Sequence, residues 1–151
     1  IADYFKDRVF QSGLTYTGHP ISLAAAIATI NVMKEDRIVE WAAAMGPILK
    51  RKLNDLGEAH PSVGEVRSIG LFGVIELVRD RKTRQPMAPY NGSSEEMTAL
   101  LKFCMDKGLY IHTHWHKILI IPPLIISEEQ LSEGFDILDQ ALAITDRAVK
   151  E

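Results

Sequence analysis

Cysteine, long apolar runs and excess basic charge are all scarce in this sequence, and each scarcity excludes a class of protein. The 151 residues include one cysteine, Cys104, so no internal disulfide can form, and we expect a reducing, cytoplasmic compartment. No apolar run approaches the ~20 residues that a membrane-spanning helix needs, so no membrane segment is predicted. The formal net charge of −3 leaves no basic field for nucleic acid or for an anionic membrane.

An initiator methionine is also missing. The chain begins Ile1-Ala2-Asp3-Tyr4 and shows no segment typical of a secretory signal. On this ground we expect a fragment, or the ordered part of a longer polypeptide.

The first part of the chain is predicted to be helical. A short amphipathic helix covers residues 1–10. A helix of small and apolar residues follows over about 20–35, and we expect it to be buried nearly all round. Asp36 is the predicted N-cap of a further helix over about 37–56, which stops at Gly57.

The rest of the chain combines strands with capped helices. Short apolar runs bounded by glycine or proline predict four strands. They are Val63–Gly70, Leu71–Val78, Leu109–Ile111 and Ile118–Ile121, the last two joined through residues 112–117. Two capping boxes, Ser93 with Glu96 and Ser127 with Gln130, predict the starts of two more helices. This order of elements predicts an α+β domain, with an antiparallel sheet of about four strands and helices on one face.

A loop flanked by two glycines precedes the alanine-rich helix, with the sequence Gly13-Leu14-Thr15-Tyr16-Thr17-Gly18-His19-Pro20. Pro20 suits the first helical position, because its missing N–H would have no partner there and its φ is preset. The loop presents backbone N–H groups and two threonine hydroxyls at a helix N-terminus, where the helix dipole favours an anion such as phosphate. On these grounds alone, a plain helix cap and an anion site both remain open.

The string from Thr15 to Pro20, followed by the alanine-rich helix, resembles the C-terminal part of the class-III (ω-amino acid) aminotransferases. These are fold type I enzymes that use pyridoxal 5′-phosphate. The resemblance continues through Pro122-Pro123 to the last helix, so it covers essentially the whole chain. It implies that residues 1–35 end a large cofactor-binding domain and that residues 36–151 form the small C-terminal domain.

The resemblance also implies the contacts to the cofactor. The threonine at the position of Thr15, with the backbone around Leu14, binds the cofactor phosphate of the neighbouring subunit, which implies a homodimer as the catalytic unit. The lysine that forms the Schiff base lies upstream of residue 1 in this family, so this segment contains no catalytic residue and should be inactive alone. The nearest lysine, Lys6, is interpreted as a solvated surface residue.

Three histidines lie at alternate positions in His112-Thr113-His114-Trp115-His116. On a continuous strand they would share one face, and imidazoles are good zinc ligands. The outer two would be roughly 13 Å apart at ~3.3 Å per residue, which is too far for one ion. No cysteine lies nearby to complete a ligand set. We therefore predict no metal site and interpret the stretch as a hairpin turn.

His112 is the predicted substrate-binding residue. Many members of the family carry an arginine about ten residues before the Pro-Pro pair, where its bidentate fork binds a substrate carboxylate. Counting back from Pro122 places His112 there, and residues 109–124 contain no arginine. Histidine cannot imitate that fork, although His112 or Lys117 could substitute more weakly. We therefore expect reduced dependence on an α-carboxylate, or capture of the carboxylate by another residue.

Two other sets of residues are candidate functional groups. Arg67 and Arg79 flank the first predicted hairpin and could bind a substrate, but are interpreted as solvated charges at strand ends. A serine nucleophile at Ser12 or Ser68 lacks the G-x-S-x-G turn that would expose it, so no serine nucleophile is predicted.

The sequence thus predicts the C-terminal portion of an aminotransferase that moves an amino group from an amine or ω-amino acid to a keto acid such as pyruvate. Two alternatives remain open. One is another pyridoxal-phosphate enzyme of the family, such as an aminomutase or an epimerase. The other is a non-catalytic α+β interaction module, if the chain is native at this length.

Overall fold

The computed structural model describes residues 2–150, which fall into two compact units. The first unit ends at Arg37 and the second begins at Ile38. A short 3₁₀-helix over Ala2–Phe5 stands where an amphipathic helix over residues 1–10 was predicted. None of its residues is buried, so no packing surface extends this turn into a longer helix. The first residue of the predicted helix lies outside the described residues.

The first α-helix, α1, spans Pro20–Glu35, as predicted. At its end the Asp36 N–H donates to the Val32 carbonyl at 2.9 Å and the Arg37 N–H donates to the Lys34 carbonyl at 3.2 Å, and Arg37 has a φ of 51°. Asp36 is therefore the C-cap of α1, and its prediction as an N-cap is wrong. No residue of α1 is buried, which contradicts the expected burial nearly all round. A helix hides apolar side chains only against a neighbouring surface.

The second unit opens with α2, Ile38–Ala59, which passes Gly57 although a stop was predicted there. A Cβ placed on Gly57 would lie 3.7 Å from the Val66 side chain, so the glycine lies where the helix packs closely. The Arg81 guanidinium donates to the Gly57 carbonyl at 2.7 Å. Gly57 thus serves the packing of α2 rather than its termination.

Five strands form the sheet. They are β1 (Val63–Ile69), β2 (Phe72–Asp80), β3 (Gln85–Pro86), β4 (His112–His114) and β5 (Lys117–Ile120). Their spatial order is β1-β2-β5-β4, β3 pairs with β2, and every pairing is antiparallel. The predicted antiparallel sheet of about four strands is confirmed, and the short strand β3 is a fifth strand that was not predicted.

The strand predicted over Leu109–Ile111 is wrong, because β4 covers the next three residues, which were predicted to be a connector. Within β4, His114 pairs directly with Lys117, so only two residues form the turn. A two-residue hairpin turn favours positive φ, and Trp115 provides it at 58°. Tryptophan does not signal such a turn in a sequence, which explains the error.

Two further helices complete the unit. α3 spans Glu95–Asp106, and its N-cap is Ser94, whose hydroxyl accepts from the Met97 N–H at 3.3 Å. The predicted cap at Ser93 is therefore one residue too early. Both serines precede the acidic first turn, and only the backbone conformation selects between them.

α4 spans Glu128–Asp146 and begins with the predicted capping box. The Gln130 N–H donates to the Ser127 hydroxyl at 3.1 Å, and the Ser127 N–H donates to the Gln130 side chain at 3.1 Å. This prediction is confirmed.

The helices cover one face of the sheet. α2 packs on β1, β2 and α4, and α3 packs on α4. Ile75, Leu77 and Ile118 point into this layer and are fully buried, whereas Ile69 and Phe72 lie on the opposite face and are exposed. The α+β architecture is confirmed. Among residues 2–150 no helix is long and apolar enough to cross a membrane.

Candidate cofactor and substrate segments

The predicted phosphate loop lies in the first unit, directly before α1. The Thr17 N–H donates to the Leu14 carbonyl at 2.9 Å, and the His19 N–H donates to the Tyr16 carbonyl at 3.3 Å. Two successive turns thus lead the chain into the helix. Gly18 lies in the second turn with a φ of 77°, a left-handed conformation that glycine adopts without strain.

Thr15 and Leu14 are both exposed in this loop. Within residues 2–150, the hydroxyls of Thr15 and Thr17 form no hydrogen bond, and His19 provides no side-chain cap to α1. The loop therefore keeps unpaired donors beside the positive end of a helix dipole, where an anion is stabilised.

The histidine cluster is divided between a strand and a turn. His112 and His114 lie on the same face of β4 and are exposed, while His116 lies in the turn. The Nδ1 atom of His116 is buried without a partner in the described chain. Burial, aided by the charge of Lys117, lowers the pKa of His116. Residues 2–150 contain no group of three or more His, Cys, Asp or Glu side chains that could hold a metal ion.

An aromatic stack fixes the tip of this hairpin. The His114 ring lies 4.1 Å from the Trp115 ring at an interplanar angle of 26°, and the Trp115 ring lies 4.3 Å from that of Tyr90. Such pairs stabilise a fold by about 0.5–1.5 kcal/mol beyond their buried area. His112 has no aromatic contact and no side-chain hydrogen bond within the described residues, so its imidazole is available to a ligand.

Ion pairs cross the outer face of the sheet from β1 to β5. Glu76 lies 2.5 Å from Arg67 and 3.6 Å from Lys117, and Arg67 also pairs with Glu65 at 3.0 Å. Burial tends to raise the pKa of Glu76, but Arg67 and Lys117 together hold it below its ordinary value. Lys117, the predicted weaker substitute for the arginine, is therefore engaged by Glu76. Arg67 is a paired charge rather than a free one.

Arg79 is not a solvated charge, and that interpretation is wrong. Its guanidinium donates two hydrogen bonds to the Glu96 carboxylate, at 2.9 and 2.7 Å, and both side chains are only 25% exposed. The hydrogen bond from Arg79 lowers the pKa of Glu96 to about 2. This pair joins β2 to α3, so Arg79 has a structural role.

The residue that sequence reasoning missed is Glu76. It is a single carboxylate within the apolar run Phe72–Val78 of β2, and the strand period places it on the outer face, opposite Lys117 on β5. A cross-strand pair of opposite charges is the signal that could have identified it. Finding that pair requires the register between two strands that are far apart in the sequence.

Known proteins match both units. The family model described as "Aminotransferase class-III" matches residues 4–142. The putrescine–pyruvate aminotransferase of Pseudomonas aeruginosa is 32% identical over 143 residues, which cover 93% of this chain and 30% of that protein. The isoleucine 2-epimerase of Lentilactobacillus buchneri is 36% identical over 128 residues, covering 84% of this chain and 27% of that protein.

A solved structure extends the match to the fold. The taurine:2-oxoglutarate aminotransferase of Bifidobacterium kashiwanohense, in complex with PLP and glutamate, superposes with a TM-score of 0.85 at 40% identity. The match covers 97% of this chain and 33% of that one. The chain thus spans about a third of the length of these relatives.

The fold is accordingly that of pyridoxal-phosphate enzymes of fold type I. The chain belongs to the class-III aminotransferase family. Pyridoxal 5′-phosphate is the cofactor that this membership indicates.

The residues of the loop fit the phosphate of this cofactor. The Thr15 hydroxyl is exposed and unpaired within residues 2–150, and no acidic residue occurs between Arg8 and Lys34. Nothing in this stretch would repel a phosphate, and an unpaired hydroxyl beside a helix N-terminus favours one.

Proposed function

We propose that the whole protein is a pyridoxal-phosphate-dependent aminotransferase that moves an amino group from an amine or ω-amino acid to a keto acid such as pyruvate. The family match over residues 4–142 carries this proposal. Two similar proteins are named for the donors putrescine and taurine, neither of which has an α-carboxylate, and this supports the donor class. When bound, the cofactor supplies the electron sink that activates the amine-bearing carbon.

Thr15 is proposed to hold the cofactor phosphate. Its hydroxyl would donate a hydrogen bond, while the turn closed at the Leu14 carbonyl sets the course of the backbone beside it. In the proposed homodimer this loop serves the cofactor of the partner subunit, so that each active site needs both chains.

His112 is proposed to bind the acidic group of the acceptor. Its imidazole is exposed, and it is free of the aromatic stack that holds His114 and of the ion pair that engages Lys117. An imidazole offers one directed donor rather than the paired donors of arginine, so this contact is weaker than that of the arginine-bearing relatives.

Replacing Thr15 in the full-length protein tests the cofactor contact. Loss of a hydrogen bond to a charged group costs about 1.5–3 kcal/mol, so Thr15→Ala should weaken pyridoxal-phosphate binding about 10- to 100-fold. Thr17→Ala is the control: it removes a hydroxyl of the same kind two residues away and should change the Kd less than about twofold. Equal affinities for Thr15→Ala and the wild type, measured by cofactor fluorescence titration, would contradict the assignment.

Replacing His112 tests the substrate contact. His112→Ala should raise KM for the keto acid about tenfold with little change in KM for an amine that has no acidic group. His112→Arg should lower KM for the keto acid below the wild-type value, because it restores a bidentate donor. His114→Ala is the matched control on the same strand. Unchanged KM values in both His112 variants would exclude the role.

The proposed dimer is tested by light scattering of the full-length protein. A monomer that retained aminotransferase activity would contradict the contact made across subunits.

A second candidate function is epimerisation, which the match to isoleucine 2-epimerase favours. The two functions separate in one assay. An aminotransferase turns over an amine continuously only when a keto acid is present, whereas an epimerase inverts the α-carbon of an amino acid without one.

A further inference from the structure

The junction between the ends of α2 and α4 contains a buried histidine between two carboxylates. His60 directly follows α2 and is only 7% exposed. Its Nδ1 lies 2.7 Å from Asp146 Oδ2, and its Nε2 lies 3.0 Å from Asp139 Oδ1. Both aspartates belong to α4, so one imidazole ring spans two turns of that helix.

This geometry defines the protonation state of the ring. An ionised carboxylate only accepts hydrogen bonds, so each ring nitrogen must donate one. A neutral imidazole has a single N–H and would place an unprotonated nitrogen against a carboxylate oxygen. The arrangement therefore belongs to the imidazolium form.

Asp146 is held rigidly on the other side. Its Oδ1 accepts from the Ser62 N–H at 3.1 Å and from the Ser62 hydroxyl at 2.6 Å, and Ser62 Oγ lies 2.8 Å from Thr145 Oγ1. Ser62 and Thr145 are fully buried. Since Ser62 contacts Asp146 and not His60, this is no nucleophile–base pair. Asp139, in contrast, has a side chain that is 58% exposed.

The remaining charged groups near the ring are cations or are already engaged. The Arg81 guanidinium donates to the carbonyls of Gly57 and His60, at 2.7 and 2.6 Å. Arg81, Lys82 and Lys150 line a cleft with Asp146 and Asp80. The Asp80 carboxylate accepts from the backbone N–H of Lys82 and of Thr83.

We propose that His60 is a pH-dependent link between the end of α2 and the last turns of α4. As an imidazolium it binds both aspartates of α4, and when it loses a proton these contacts break. Leu138 and Leu142 on α4 remain in the core, so release loosens the end of the helix without unfolding the domain.

The direction of the pH effect follows from the environment. Burial alone lowers the pKa of His60, but the hydrogen bonds and charges of Asp146 and Asp139 outweigh it and raise the pKa above 6.5. A group whose native pKa is raised contributes its full stabilisation below the unfolded value, near pH 6.5, and loses it as the pH rises through the native value. The contacts of His60 with Asp139 and Asp146 are therefore formed in mild acid and are lost towards alkaline pH.

The titration of His60 in the full-length protein is the first test. In a protein with ¹³C-labelled histidine, the His60 NMR signal is identified by its absence in His60→Gln. We expect a midpoint above pH 6.5 that falls in Asp139→Asn. Asp136→Asn removes the same charge from an exposed position one turn earlier and should leave the midpoint unchanged. A wild-type midpoint at or below 6.5 overturns the proposal.

Hydrogen exchange then tests release. Relative to intrinsic rates, the amides of residues 139–146 should lose protection between pH 6 and pH 9 in the wild type and in Asp136→Asn. Asp139→Asn should lower that protection up to about fivefold already at pH 6, the range for a partly exposed ion pair. Because Asp139 is largely exposed, this variant should fold even if His60→Gln does not. Protection that is the same at both pH values in the wild type overturns the proposal.

Discussion

The two compact units contain similar apolar side chains, but only the second unit buries many of them. The sixteen residues of α1 include isoleucine, leucine and valine, and none of them is buried. The second unit buries leucines and isoleucines from α2, β2, α3 and α4 in one core. The difference lies in the pattern. α2 has one apolar face that fits the sheet, whereas α1 is apolar nearly all round and would need surfaces on several sides. Composition alone thus does not decide burial.

The largest effect is expected from core truncation. Leu49→Ala removes a fully buried side chain of α2 and should lower the free energy of unfolding by about 2–5 kcal/mol. Leu23→Ala in α1 removes a side chain that is 53% exposed and should cost less than about 0.5 kcal/mol. Urea unfolding of both variants gives the two values. A loss of stability in Leu23→Ala as large as in Leu49→Ala would contradict the difference in burial between α1 and α2. It would support the prediction that residues 1–35 belong to a large domain.

An ion pair in each unit gives the next comparison. Arg79 holds the native pKa of Glu96 at about 2, below its ordinary 4.5. The ion pair therefore contributes its full stabilisation above pH 4.5, and this stabilisation is lost as the pH falls towards 2. Glu96→Gln should therefore cost about 2 kcal/mol at pH 7 and progressively less in acid. Asp3→Asn breaks a largely exposed pair with Lys6 and should have no measurable effect. A pH-independent loss in Glu96→Gln would contradict the ionic origin.

The smallest effect concerns the helix caps. Ser94→Ala removes the hydroxyl that accepts from Met97 and should cost about 1 kcal/mol. Ser93→Ala, one residue earlier, and His19→Ala, at the uncapped start of α1, should each change stability by less than about 0.5 kcal/mol. Thermal unfolding of the three variants ranks them. A larger loss at Ser93 than at Ser94 would restore the cap inferred from the sequence.

The predictions from sequence succeeded where the signal was local. The capping box at Ser127 depends on two residues three positions apart, and it formed as predicted. The start of β4 was missed because a tryptophan adopts the positive φ of the turn, and the cap of α3 was missed by one residue because two serines are adjacent. In both cases backbone conformation chose between options that the residue types leave equal.

The candidate site shows the same limit. The loop around Thr15 was predicted as a site from a contiguous motif, and its hydroxyl is unpaired among residues 2–150. The engagement of Lys117 by Glu76 and the bidentate pairing of Arg79 with Glu96 were not foreseen, because each joins residues that meet only through strand register or helix packing.

The sequence by itself determined the order of the four α-helices and of the two main hairpins, the antiparallel α+β class and the family, since these depend on periodicity and on contiguous motifs. Tertiary structure alone decided which charges are free and which are paired, and placed His60 between two carboxylates of a helix about eighty residues away in the chain. The physical reason is distance along the chain: hydrogen bonds and ion pairs act over a few ångströms, and only folding brings such residues that close.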